Sequence, residues 1–340
     1  MHIWPVSVSF HAEMPWDIEL TEKAALVSMN SNPVGVMNEG FFEDLRSAFS
    51  SLAEKHPSKP VVLASAAKTF SSGLDLDECV PLFRRGDKKE IDVWFERFFS
   101  SMVAVLEHPA PVIAAIGGHA IAGGCLLALC CDIRIAEEGK PRIGLNEETI
   151  GFPMPVSLAA LVTGALGTRR GKRIMKRGEI YNALEARELG IINRICLSGE
   201  AARTALAEAE RLLNSDSGGK KAKAHITGKV RKLFNKEDRY RLAGRLSAPE
   251  TIERLEALIQ TLKKAKKGAK TIKEEETKAK KAAKPEEEGK GKKAAETKKE
   301  VEVVKVRRRV RAKKTTEEAK EKKAETKKKT TKAPAKAKKG

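Results

Sequence analysis

The chain has 340 residues, of which 41% are hydrophobic, and this is enough for one sizeable globular domain. Its formal net charge of +20 lies at one end, because residues 261–340 contain 32 Lys/Arg against 13 Asp/Glu and residues 1–260 contain 34 against 33. Attraction to nucleic acid or anionic lipid is therefore argued from the C-terminal tail alone, and no apolar run reaches the roughly 18 to 20 residues of a membrane span.

Predicted strands and helices alternate along the first half of the chain. The apolar runs that predict strands are Ala24–Asn30, Lys59–Ser65, Pro111–Ile116 and Asp132–Ala136, and helical spacing covers residues 41–52, Lys88–Glu107 and Gly124–Cys131. Alternation of this kind is typical of an α/β fold, in which a mostly parallel sheet is covered by helices.

Beyond Pro155 the pattern is helical, interrupted by a strand-like segment at Gly190–Cys196. Apolar residues recur at helical spacing in Lys236–Leu262 and predict helices that pack on a partner surface. Residues 263–340 are rich in Lys, Ala, Glu and Thr and predict a disordered basic tail, with transient helix around Glu300–Arg311. The predicted divisions are an N-terminal extension (1–20), a core (21–198), a helical region (199–262) and the tail (263–340).

The five cysteines are odd in number and lack CxxC spacing. They predict buried, reduced thiols rather than disulfides or metal ligands, so no metal site is expected. The first twenty residues contain no Lys or Arg, and neither a secretory nor a mitochondrial targeting segment is predicted from them.

Two glycine-containing segments follow predicted strands. Residues 69–76 follow the second strand, and Gly117–Cys125 follows the third and leads directly into an apolar helix. Glycines at strand ends commonly serve turns or close packing. Backbone N–H groups at a helix N-terminus, however, favour an anionic oxygen, so two such loops could together hold one oxygen in an oxyanion hole.

A third segment, residues 142–153, places Glu147 and Glu148 among apolar residues. Neighbouring side chains point to different sides of a helix or strand, so at most one of the two glutamates faces a given pocket. Taken alone, an acidic pair of this kind is more typical of a solvated surface or a helix start than of a reactive site.

Together these segments resemble the crotonase (enoyl-CoA hydratase/isomerase) superfamily from about Ala24 to about Leu262. The sequence FSSGLDL is similar to the family loop Phe-x-Ala-Gly-x-Asp-Leu, and AIGGHAIAGGCLLALCCDIRIA is similar to its long glycine loop and helix. The resemblance implies a ββα superhelix with mostly parallel sheets and an oxyanion hole formed by the N–H groups of Leu74 and Gly123. It also implies that acyl-coenzyme A is the substrate, with no cofactor. The residues implied to contact it are Phe70, Ser71, Ser72, Gly73, Gly124, Phe152 and Met154.

The acids select a subgroup within this family. Hydratases carry one glutamate in the glycine-loop helix and a second in the later loop, and here the first position is Leu126, which cannot transfer a proton. The second is matched by Glu147, and IGLNEETIGFPMP is similar to the Δ3,Δ2-enoyl-CoA isomerases of fatty acid β-oxidation, which are implied to use a single glutamate. Glu147 is therefore the expected catalytic residue, in a partly apolar pocket that raises its pKa, and Glu148 is expected at the surface.

Two alternatives stay open at this stage. One is another crotonase reaction, such as hydration or thioester hydrolysis, and the other is a non-catalytic crotonase-like protein whose basic tail contacts nucleic acid weakly. The family resemblance implies a trimer or hexamer and a mitochondrial or peroxisomal matrix location, whereas the tail would also suit a nuclear protein.

Overall fold

The computed structural model describes residues 8–9, 16–213, 228 and 230–282. The strands are β1 (Val8–Ser9), β2 (Asp17–Leu20), β3 (Ala25–Met29), β4 (Val36–Met37), β5 (Val61–Ser65), β6 (Gly73–Leu74), β7 (Val112–Ile116), β8 (Ala120–Ile121), β9 (Ile133–Glu137), β10 (Ile143–Gly144), β11 (Ile180–Tyr181) and β12 (Arg194–Cys196). The helices are α1 (Glu39–Lys55), α2 (Leu76–Arg85), α3 (Lys88–Leu106), α4 (Gly123–Cys130), α5 (Glu147–Ile150), α6 (Val156–Leu166), α7 (Thr168–Arg177), α8 (Ala183–Glu188), α9 (Ala201–Leu213), α10 (Lys236–Leu246) and α11 (Pro249–Ala282).

The main sheet has seven strands in the order β1-β2-β3-β5-β7-β9-β12. From β3 onward every neighbouring pair is parallel, whereas β1 and β2 are antiparallel additions at one edge. Two small sheets stand apart from it, β4 with β6 and β11-β10-β8. This arrangement confirms the predicted α/β fold with mostly parallel strands, and no helix in the described ranges is long and apolar enough to cross a membrane.

The two faces of the main sheet are buried against different layers. In β5, Val61 and Leu63 belong to the main hydrophobic core, while Val62 and Ala64 face the opposite side, as the two-residue period of a strand requires. On that second side α9 buries three alanines at four-residue spacing, Ala201, Ala205 and Ala209, and packs the partly buried Leu206 and Leu212 against the same cluster. The main core holds the large aromatic side chains of α1 and α3, so both faces exclude water.

Two sequence-based boundaries are corrected by the structure. The strand predicted at Gly190–Cys196 begins only at Arg194, because Gly190 adopts a positive φ of +76° and ends α8, with its N–H donating to Arg187 O at 2.9 Å. β2 lies inside the segment assigned to the N-terminal extension, yet it pairs with β3 over residues 17–20 and is therefore part of the sheet.

The disorder predicted from residue 263 onward is also corrected, because α11 continues to Ala282. Composition excluded a packed core there, but Ala, Lys and Glu are strong helix formers and need no apolar burial to form a helix. The remainder of the predicted tail, including the helix expected around Glu300–Arg311, lies outside the described residues.

Candidate active site

Short stretches of parallel backbone hold the three motif segments side by side. Ser71 forms a bridge to Ala120 in β8, and Ala120 is paired with Ile143 in β10. The hydrogen bonds continue this ladder, since Ile121 N–H donates to Ser71 O at 3.0 Å and Ala122 N–H donates to Gly144 O at 2.9 Å. The three motif segments, spread over about 70 residues of sequence, are therefore adjacent in the fold.

The backbones of Leu74 and Gly123 meet at this place. A Cβ atom added to Gly123 would lie 3.6 Å from the nitrogen of Leu74, and one added to Gly73 would lie 3.2 Å from the nitrogen of Gly123. The N–H of Asp75 donates to Met37 O in β4, so the N–H of Leu74 points away from β4, because successive strand residues direct their backbone groups to opposite sides.

The N–H of Gly123 belongs to the first residue of α4, where N–H groups have no partner within the helix. Ala122 precedes it with φ 50°, a strained backbone conformation for a residue with a side chain. The next residue in α4, Gly124, has no room for a side chain. An added Cβ would lie 2.8 Å from Ser71 Cβ and still closer to the Ser71 carbonyl. These features turn the start of α4 toward Leu74.

Glu147 is the buried acid of the third motif segment. Its side chain is 6% exposed, and among the described residues its Oε2 atom has no hydrogen-bond partner. Burial raises its pKa to about 7. After burial, the charge of Glu147 is the largest cause that raises the pKa of the Cys125 thiol in the first turn of α4, which places the carboxyl near that helix start. The neighbouring Glu148 is exposed.

The predicted site residues around Leu74 hold the loop in place through packing and hydrogen bonds. Phe70 is part of the core, and Ser71 is fully buried, donating through Oγ to Gly35 O at 2.7 Å and accepting from Gly73 N–H at 3.2 Å. Ser72 donates to Val34 O at 2.9 Å. Both serine hydroxyls thus brace the loop that carries Leu74.

Phe152 and Met154, which follow Glu147 in the chain, pack in and against the main hydrophobic core. Phe152 is 8% exposed and its ring lies 6.5 Å from that of Phe83, while Met154 is partly buried against the main core. Leu126, at the position where hydratases are implied to carry a glutamate, is 2% exposed within the core.

Two neighbouring side chains have structural roles. Asp75 caps α2 by accepting from the N–H of Asp77 at 3.1 Å. His119 accepts from the N–H of Arg142 at 3.0 Å through Nδ1 and so ties the glycine loop to the strand that leads to Glu147.

Residues of the C-terminal helices hold the loop after Glu147, and the sequence pattern did not predict this role for them. Asp238 of α10 is 8% exposed and accepts from the N–H groups of Val156 and Ser157 at 3.0 and 2.9 Å and from the Ser157 hydroxyl at 2.5 Å. It caps α6, directly after the Glu147 loop. In the sequence Asp238 is simply an acid in the first turn of its own helix, so no local signal shows this role.

Two arginines complete this support. Arg245 donates to Met154 O at 3.3 Å, and the Arg254 side chain lies against Gly151, where an added Cβ would come within 2.7 Å of its Cδ. Gly151 ends α5 with a positive φ of +73°. The loop from Glu147 to α6 is thus held at its middle and at its far end.

The fold and this arrangement of two glycine loops and a buried glutamate define a family. The profile of the enoyl-CoA hydratase/isomerase family matches residues 19–247, and the chain belongs to this family, which confirms the resemblance to crotonases.

Relatives with both kinds of name are similar to the chain. Human mitochondrial enoyl-CoA delta isomerase 1 is 30% identical over 189 residues, covering 54% of this chain and 60% of the relative. Mouse mitochondrial enoyl-CoA hydratase domain-containing protein 2 is 30% identical over 187 residues, covering 54% and 62%. The chain therefore spans about three fifths of these curated relatives.

A solved structure shares the fold over a larger region. The crystal structure of human mitochondrial delta3-delta2-enoyl-CoA isomerase aligns with a TM-score of 0.66 at 24% identity, covering 72% of this chain and 95% of that one. This likeness establishes the crotonase fold.

Proposed function

We propose that the protein is a Δ3,Δ2-enoyl-CoA isomerase that moves a double bond of an unsaturated acyl-CoA next to the thioester carbonyl. The observation that carries the proposal is Glu147, a buried carboxyl with an unpartnered oxygen and a pKa of about 7, near the start of α4. A carboxyl of this kind is half ionised near neutral pH and can both accept and return a proton.

The proposed reaction needs one base and one anion site. The Glu147 carboxylate takes a proton from C2 of a 3-enoyl thioester, the C–H electron pair becomes the C1–C2 double bond of a dienolate, and the carbonyl π pair moves onto the thioester carbonyl oxygen. The N–H groups of Leu74 and Gly123 stabilise this oxygen, each contributing on the order of 3 kcal/mol. The protonated Glu147 then returns its proton to C4, the C3–C4 double bond becomes single and the 2-enoyl product forms, so atoms and charge balance.

Leu126 favours isomerisation over hydration. Addition of water needs two groups, one to activate the water and one to handle the α-proton, and Leu126 occupies the α4 position where hydratases are implied to carry one of them. Glu148 is exposed to solvent, so it is not expected to replace the missing group. The relatives carry both isomerase and hydratase names, so the assay must separate the two reactions.

The decisive experiment uses two substrates and two matched variants. Purified protein is incubated with 3-hexenoyl-CoA and, separately, with 2-hexenoyl-CoA, and the products are separated by chromatography. We expect 2-hexenoyl-CoA from the first and no 3-hydroxyhexanoyl-CoA from the second. Glu147→Gln should abolish the isomerisation, and Glu148→Gln should keep it. Hydration or release of free CoA would identify another crotonase reaction, and inertness toward both substrates would reject the proposal.

The substrate contacts follow from the same placement. The backbone of Phe70, Ser71, Ser72 and Gly73 is proposed to hold the coenzyme A portion, while Phe152 and Met154 line the acyl side and Gly124 brings α4 close to the thioester. The boundary between the core and the helical region at residue 199, the trimeric assembly, the matrix location and the tail's contact with nucleic acid stay predictions.

A further inference from the structure

Helix α7 carries an unusual concentration of positive charge. Six of its ten residues are basic and none is acidic. The six are Arg169, Arg170, Lys172, Arg173, Lys176 and Arg177, and all are exposed, whereas Gly171 and Ile174 form the buried side of the helix. The helix therefore presents only cations to its surroundings.

The rest of residues 1–260 does not share this charge. Residues 1–260 contain 34 Lys/Arg against 33 Asp/Glu, and without α7 the balance becomes 28 against 33, which is net acidic. Among the described residues, one cation of the six forms an ion pair, Arg177 with Glu179 at 2.9 Å. The positive field of the other five is uncompensated by close carboxylates. The expectation that basic attraction comes from the tail alone is thus incomplete.

Helix α7 is held rigidly. Gly171 lies against α6, where an added Cβ would come within 3.0 Å of Thr163 Cα, and the Thr149 hydroxyl donates to Gly178 O, just past the helix end, at 2.8 Å. From Arg169 to Arg177 the helix rises about 12 Å. A nucleic-acid duplex presents about seven phosphate charges over that length, one per roughly 1.7 Å, so the two charge spacings are comparable.

We infer that α7 is a binding surface for the phosphodiester backbone of nucleic acid, without choice of base sequence. Four of the six cations are arginines, whose planar fork matches phosphate oxygens. A membrane surface fits less well, because a helix that lies in a lipid interface needs an exposed apolar face and Ile174 is 1% exposed. This surface is independent of the chemistry proposed for Glu147.

The test compares two variants with the same change in net charge. Binding of the full chain to a fluorescein-labelled 20-base-pair DNA duplex is followed by fluorescence anisotropy between 50 and 200 mM salt. The α7 variant replaces Arg169, Arg173 and Lys176 with Gln. Since each lost phosphate contact removes about 0.9 from the slope of log K against log salt, we expect its slope to become shallower by about 2 to 3 and its affinity to fall at least tenfold.

The control variant replaces three exposed arginines elsewhere, Arg46, Arg203 and Arg241, which pair with nearby glutamates. We expect its slope to stay within about 0.5 of the parent. Circular dichroism and acyl-CoA turnover check that both variants are folded. Equal losses in both variants would mean that net charge or the tail alone binds the duplex, and absence of binding by the parent would also overturn the inference. So would α7-dependent binding to phosphatidylserine vesicles with unchanged binding to DNA.

Discussion

Two buried carboxyl groups differ in their hydrogen bonding. Glu147 is the first residue of α5, and Asp238 of α10 contacts the start of α6. Asp238, at 8% exposure, accepts three hydrogen bonds and joins α10 to the start of α6. Glu147, at 6% exposure, has an oxygen without a partner and a pKa raised to about 7 by burial. Asp238 stabilises the fold, because burial of a polar group is favourable only when its hydrogen bonds are made.

An unsatisfied buried carboxyl has the opposite effect and lowers stability. Such a group is expected where reactivity, rather than stability, is under selection. The two carboxyl groups are buried to a similar extent. Their hydrogen-bond partners, rather than their exposed fraction, therefore distinguish a structural role from a catalytic one. The following experiments test this separation.

The largest effect is expected on turnover. Replacing Glu147 with Gln should lower kcat for 3-hexenoyl-CoA by roughly three to four orders of magnitude, because one residue both removes and returns the proton. Asp238→Asn, assayed well below its melting temperature, should change kcat by less than about threefold, since Asp238 touches the loop and not the substrate. A similar loss of kcat in both variants would contradict the assignment of a catalytic role to Glu147 and a structural role to Asp238.

A smaller effect is expected on stability at Asp238. Truncation to Ala removes three charge-assisted hydrogen bonds and leaves the N–H groups of Val156 and of the buried Ser157 without their acceptor, so the free energy of unfolding should fall by about 3 kcal/mol. Urea denaturation measures it. Glu237→Ala is the matched control, because the Glu237 carboxylate is exposed and pairs only with Arg241, and it should cost less than about 0.5 kcal/mol.

The stability change at Glu147 should have the opposite sign and depend on pH. The pKa in the folded chain, about 7, is above the ordinary value of 4.5, so the unfolded chain releases the proton more readily and stability falls as pH rises from about 4.5 to 7. Glu147→Gln should therefore raise the free energy of unfolding by about 3 kcal/mol at pH 8 and by much less at pH 4.5. Equal effects at the two pH values would contradict the assigned pKa.

The mildest effect is on the rate as a function of pH. Because the ionised form of Glu147 is the base, kcat/KM should be flat above pH 7.5 and fall about tenfold per pH unit below 6.5, with an apparent pKa near 7. Stopped-flow assays with 3-hexenoyl-CoA measure this profile. A midpoint near 4.5 would indicate a solvated carboxyl.

Much of the candidate site was predictable because its signals are local. The loop around Leu74, the glycine loop before α4 and the acidic segment around Glu147 each require particular residue types over short stretches, and glycine is required at Gly124 by the Ser71 carbonyl. Strand and helix order followed from periodicity for the same reason. The burial of Glu147 and the exposure of Glu148 agree with the expectation that only one of two neighbours faces a pocket.

Other features depended on contacts between distant parts of the chain. Asp238 and Ser157 are 81 residues apart in sequence, and nothing near either residue indicates that they meet. The helix from Pro249 to Ala282 extends past the predicted start of disorder, since composition measures the capacity to form a core and says little about helix formation.

By itself, the sequence determined the family, the order of strands and helices, and the residue types available for proton transfer, because these depend on short-range patterns in the chain. Only the tertiary structure decided that Asp238 caps α6, that Glu147 lacks a partner, and that the cations of α7 face outward on an otherwise acidic body. Burial, hydrogen-bond partners and local charge are set by which distant segments pack together, and that packing is a property of the whole fold.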